Sequence, residues 1–168
     1  MSELIPAITI LGVLNGAAGA IQADTATQAF VTANYGSTLN IYVGLDRVNP
    51  PGESVTPFLC LTPAPSPYDM GQAPANDERS VSFEIYWGIV DKNLAVNNTT
   101  KTTTQTGLTN VDALGQLILQ ALANYFTDTL YNANYILYGE EPPLFEGAMS
   151  CRIVQAIGIN SEPTLDHA

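Results

Sequence analysis

The chain has 168 residues and a formal net charge of −11, with five Lys and Arg against sixteen Asp and Glu. That length suits one domain with a sizeable core, and that charge argues against clamping nucleic acid or adsorbing to an anionic membrane. Charged residues make up 12% of the chain and the hydrophobic class 46%, so much of the surface is neutral polar or apolar, either as the plain exterior of a monomer or as ground for protein partners.

Residues 1–36 form an apolar segment followed by a short helix. Between Leu4 and Ala23 there is no charge, and Ile, Leu and Val are mixed with Gly and Ala. Ala17 and Ala18 favour helix, Gly12, Gly16 and Gly19 oppose it, and Asn15-Gly16 can equally mark a turn after a strand from Ile8 to Leu14. No basic leader precedes this stretch, and Pro6, Asn15 and the glycines interrupt a membrane span, so a soluble, unexported protein is expected. Asp24 or Thr25 is placed to cap a helix through Ala33, ended by Asn34, Tyr35 and Gly36.

Leu39, Ile41, Val43 and Leu45 alternate with Asn40, Tyr42 and Gly44, the period of a strand with one buried face. Asn49-Pro50-Pro51-Gly52 then reads as a turn and Thr56 to Leu61 as a second strand, so the pair is expected to form a hairpin. Thr62 to Arg79 is too rich in Pro and polar residues for regular structure and reads as a long loop. Val81, Phe83, Ile85, Trp87 and Ile89 alternate with Ser82, Glu84, Tyr86 and Gly88, a strand expected near the sheet centre. Asp91 to Gly107 is a second long polar stretch that either extends as a protruding hairpin or hangs in solvent.

Thr109 to Leu130 reads as a helix. Thr109 or Asn110 can cap it, and Val111, Leu114, Ile118, Leu122, Tyr125 and Phe126 recur at helical spacing, giving a face to lay on a sheet. Gly115 within it marks close packing against another backbone. Tyr135 to Tyr138, an acidic turn from Gly139 to Pro143, and a last strand from Ala148 to Ile159 complete the domain, with 160–168 a polar tail. The expected fold is α+β: a mostly antiparallel sheet of four to six strands, helices packed on one face, and long protruding loops, in one domain spanning 1–168.

The chemistry is sparse. The single histidine, His167, lies next to the C-terminal residue, so a Ser-His-Asp or Cys-His arrangement would hang on a frayed end. Cys60 and Cys151 lack metal-ligand or redox spacing and read as buried thiols. Gly12 to Gly19 matches neither the P-loop nor the dinucleotide fingerprint. The candidate acidic surface, Asp77, Glu78, Glu140, Glu141 and Glu146, shows no converging carboxylate pair and no calcium-loop spacing. No cofactor, metal or catalytic residue is assigned, and a non-enzymatic role is expected. Tyr35, Tyr42, Tyr86 and Tyr138 fall on or beside strands, suited either to partner contact or to cross-strand pairing.

In order of elements, the strand LNIYVGLD, the interrupted pair ending in FLCLTP, the strand SVSFEIYWGIV, the helix NVDALGQLILQALANYF and the closing strand AMSCRIVQAIG resemble the tail terminator or tail-completion proteins of long-tailed bacteriophages and the neck proteins related to them. The resemblance covers roughly residues 39 to 160 and leaves the N-terminal Gly/Ala-rich stretch unmatched. It implies a virion protein, assembled in the host cytoplasm, that forms a homo-oligomeric, hexameric ring on the tail tube protein and offers a face to the head connector or neck proteins. DNA would pass through as non-adhering cargo, which an acidic lumen suits. Subunit contacts are expected from the two long loops, at Tyr68, Asp69 and Met70 and at Lys92, Asn97, Asn98, Thr99, Lys101 and Thr103; removing Lys92 to Thr106 should spare folding and abolish assembly. The alternatives are a tail tube or head-side neck subunit and, in another class, a monomeric small-ligand-binding module built on the tyrosines and the acidic loop.

Overall fold

The computed structural model describes residues 9–46, 48–64, 78–127, 130–141 and 143–156. Among the described residues two helices come first, α1 (Ile10–Ala23) and α2 (Thr25–Tyr35), followed by β1 (Asn40–Val43), β2 (Phe58–Pro63) and β3 (Glu78–Val90). A short pair, β4 (Leu94–Asn97) and β5 (Thr102–Gln105), then precedes α3 (Thr106–Tyr125), β6 (Leu130–Glu141) and β7 (Leu144–Ala156). Five strands make one sheet in the order β1-β2-β3-β7-β6, and β4-β5 stand apart as a two-stranded sheet. The fold is α+β.

The open question over residues 4–23 resolves, within the described part, as helix rather than strand. Thr9 caps α1, its hydroxyl accepting from the Gly12 N–H at 3.0 Å, and Val13, Leu14, Ala17 and Ile21 are buried at helical spacing. The face these four residues bury offsets the cost of about 1 kcal/mol for each helical glycine. Asp24 caps α2 through the Thr27 N–H at 2.8 Å and hydroxyl at 2.7 Å. Gly36, at φ 63°, ends α2 in the left-handed conformation that a residue without Cβ adopts most cheaply.

One face of the sheet carries the core. Val81, Phe83, Ile85, Trp87 and Ile89 of β3 are buried there beside their β7 partners Ile153, Cys151, Met149, Gly147 and Phe145. Leu59 and Leu61 extend the row onto β2. α1 covers the β1-β2-β3 half, α3 covers the β3-β7-β6 half, and α2 packs against α3. Each large apolar side chain so buried contributes about 1.5–3 kcal/mol. Trp87 joins the layers: its Nε1–H donates to the Val111 carbonyl of α3 at 2.9 Å, within the core. Its ring lies over Gly147, where a Cβ would stand 2.2 Å from the indole. At the start of α3, Gly107 leaves the same kind of space for the Phe145 ring.

Four expectations are corrected. β1 and β2 are not a hairpin but a parallel pair, Asn40 opposite Phe58 and Val43 opposite Leu61. The chain reverses twice: after the turn near Asn49 to Gly52, a 3-10 turn at Glu53–Val55 and a cis Thr56–Pro57 peptide carry it back, so that the Asn40 N–H meets the Pro57 carbonyl at 3.0 Å. β1 is also less buried than its alternation suggests, because it is an outer strand and its Val43 is exposed. Finally, α3 begins three residues before Thr109, so Thr109 and Asn110 lie inside it, and Tyr125 faces solvent at its end. Glu140 and Glu141 belong to β6, which runs on through the expected acidic turn.

Candidate functional site

The second long polar stretch is an ordered arm. β4 and β5 pair antiparallel, Leu94 opposite Gln105 and Asn97 opposite Thr102, and every residue from Lys92 to Gln105 is exposed. Its tip is built from side chains the sequence supplies locally. Asn97 Oδ1 accepts from the Thr99 N–H at 3.0 Å and the Thr100 N–H at 3.1 Å, Thr100 and Thr102 hydroxyls meet at 2.7 Å, and Lys101 takes a left-handed φ of 56° to close the turn.

The root is fixed to the domain. Asp91 is buried at the end of β3; its Oδ1 accepts from the Asn93 N–H at 2.8 Å and its Oδ2 from Asn110 Nδ2 of α3 at 3.0 Å. Its own N–H donates to the Pro143 carbonyl at the β6–β7 turn, at 3.0 Å. The Asn93 carbonyl accepts from both the N–H (3.2 Å) and the hydroxyl (3.0 Å) of Thr106, closing the base of the hairpin. Tyr35 shares this corner. Burial first, and the Asp91 carboxylate second, push its hydroxyl up to about 12, against a smaller lowering by the Asn110 amide. Bonds to a carboxylate acceptor are stronger than bonds between neutral groups, and these two tie the arm root to α3, so the arm leaves the body in a set direction.

Because directly opposite residues share a face, Leu94 and Val96 lie together with Thr103 and Gln105. Leu94 is 61% and Val96 62% exposed. A two-stranded ribbon is marginal by itself in water, and this one offers its two largest apolar side chains to solvent. It also carries Lys92 and Lys101, two of the five basic residues of the chain, and none of the sixteen acidic ones.

Of the expected contact residues, Lys92, Asn97, Asn98, Thr99, Lys101 and Thr103 are brought together on the arm and its root, whereas Tyr68, Asp69 and Met70 lie outside the described residues, as does Asp77. The acidic group is divided: Glu78 begins β3 opposite Ala156, whereas at the other end of the sheet Glu140 and Glu141 end β6 beside the turn into β7, where Glu146, opposite Tyr138, is half-buried and engaged. Sequence reasoning missed Leu94 and Val96, whose two-residue spacing is a strand signal, and the Asp91 anchor.

Two depressions open nearby. One, of about 440 Å³, lies at the arm root between Glu53, Asp91, Lys92, Asn93, Leu94, Gln105 and Pro143. The other, of about 330 Å³, lies by Tyr42 and Asp46. The Asp46 carboxylate there accepts from the N–H groups of Asn49 and Val48, at 3.1 and 2.9 Å, and these bonds, that from Asn49 first, hold its pKa below the ordinary value. Among the described residues no group of three His, Cys, Asp or Glu side chains could hold a metal ion, and no helix is long and apolar enough to cross a membrane. Cys60 and Cys151 are buried free thiols, raised by burial to about 11 and about 12, out of the range where a thiolate forms near neutral pH. Comparison with models of known protein families and with characterised proteins finds no match to this chain.

Proposed function

We propose that this chain is a structural subunit that closes into a ring through its β4–β5 arm, and that the ring is the tail terminator of a long-tailed bacteriophage, capping the tail tube and joining it to the head connector. The observation that carries the reading is the arm: an ordered ribbon, rooted by Asp91, with Leu94 and Val96 turned to solvent. Such a ribbon, ordered at its root and tip, gains further stability when another surface covers its apolar side. Arm and receiving surface differ, so each contact is heterologous, and a closing rotation between neighbours gives a ring. On this reading the chemistry of the chain is contact chemistry, and the net charge of −11 suits a lumen that DNA passes without sticking. A tail tube or head-side neck subunit would use the same arm. Open polymers of the pure protein would favour the tube, and a ring that binds only the portal complex would favour the neck.

The test removes the arm alone. The 3.2 Å approach of the Thr106 N–H to the Asn93 carbonyl allows residues 94–105 to be replaced by two glycines. The expected product is folded by circular dichroism and forms no rings in negative-stain micrographs. Rings of unchanged size from the armless chain would remove the arm from the interface.

A further inference from the structure

We infer that the arm of one copy docks along the free edge of β1 in the next, with β4 laid beside β1 as an added strand. This rests on the reading of the chain as a self-assembling ring subunit and names the two surfaces that meet.

β1 is an outer strand of the five-stranded sheet, and among the described residues no strand lies beyond it. The Asn40 and Gly44 N–H groups point inward to the Pro57 and Leu61 carbonyls. Backbone groups alternate along a strand, so those of Ile41 and Val43 point outward, a row that can accept another strand. β1 and β4 are each four residues long. β1 also exposes apolar groups where an edge is usually guarded by charge: Val43 is 43% and Tyr42 37% exposed. Ile41 and Val43 share the sheet face of Leu59 and Leu61, and an added β4 would set Leu94 and Val96 in the same row, continuing the apolar face from one subunit into the next.

Charge selects a second copy as the occupant. With Lys92 and Lys101 on the arm, the remainder of the chain carries three basic residues against sixteen acidic ones. Asp46, three residues beyond β1, is exposed, and Glu53, further along the same connection, is exposed at the depression by the arm root. A basic arm is therefore drawn to the body of its neighbour, while the bodies repel one another.

The test uses two full-length variants that each spoil one surface. Val43→Lys places a lysine on the β1 edge and leaves the arm intact; Leu94→Glu with Val96→Glu spoils the arm and leaves the edge intact. All three positions are exposed, so folding is retained, with circular dichroism as the check and Tyr42→Glu as a second edge variant. The unaltered chain is expected to form rings, each variant alone to lose them and run as a monomer in light scattering, and the mixture to give a 1:1 heterodimer that grows no further, because one good arm meets one good edge. Rings from the edge variants would overturn the β1 assignment while leaving the ring reading intact; rings from the arm variant would overturn the arm. Monomeric variants whose mixture yields no heterodimer would overturn the pairing of these two surfaces. An unaltered chain that stays monomeric at every concentration would overturn both the pairing and the ring.

Discussion

The β3–β7 sheet and the β4–β5 arm are built from the same kind of ladder and held by opposite means. On β3, alternate residues from Val81 to Ile89 are buried under helices, so the strands are stabilised by apolar area removed from water. On the arm every side chain is exposed, and order comes from the Asn97 turn at one end and the Asp91 anchor at the other. The first region needs no other molecule, and the second has its apolar side still to cover. That contrast separates substitutions that unfold the chain from those that should alter only its assembly.

The largest expected effect breaks the core side. Trp87→Ala removes the largest fully buried side chain and the bond to Val111, and should cost about 3–5 kcal/mol in urea denaturation followed by circular dichroism. Gly107→Ala tests the junction, where two effects compete. Alanine in a helix gains about 1 kcal/mol over glycine, but its Cβ would stand 2.3 Å from the Phe145 ring, and overpacking costs about 1–3 kcal/mol; a net loss is expected. Asp91→Ala should cost a similar amount, about 1–3 kcal/mol, with amide exchange quickened from Lys92 to Gln105 and unchanged in β3 and β7.

The direction of the β1–β2 pair shows what sequence reading cannot reach. Alternation along Val81 to Ile89 and the helical spacing of Val111 to Leu122 were legible because each pattern is complete within its own element. Asn49-Pro50-Pro51-Gly52 signals a reversal, but whether the chain then returns alongside or swings back to run parallel is settled by Glu53 to Pro57 and by the sheet. α1 is helical despite its glycines because the sheet and α3 cover Val13, Leu14, Ala17 and Ile21, a gain no local propensity contains. At the site, polarity and length left a protruding hairpin and a solvated loop equally open, and the anchor that decides between them joins Asp91 to Asn110, nineteen residues apart.

Raising the pH sharpens the same contrast from the core side. Cys151 is held at about 12 by burial, against an ordinary value of 9.0. The unfolded chain therefore loses its thiol proton first, so this contribution is complete below pH 9.0 and declines as pH rises toward 12. Each unit in that window costs about 1.4 kcal/mol for such a thiol. Denaturation midpoints should fall between pH 9 and 11, and Cys151→Ala should flatten that part of the decline. The smallest effect lies on the arm and has the opposite sign. Lys101→Gly relieves about 1–2 kcal/mol at the left-handed turn position and returns about 0.4–1 through the freer unfolded chain. A net gain of about 0.5 kcal/mol is expected, read as a small rise in Tm.

The most direct measurement is the mass of the unaltered chain across protein concentration, with negative-stain images of the same samples. A closed ring of one subunit number with an open centre, at a mass that stops rising with concentration, is expected of a subunit whose arm finds its neighbour. A monomer throughout, with the arm slow to exchange its amides, would contradict it, because the ribbon would then be stable with Leu94 and Val96 in water.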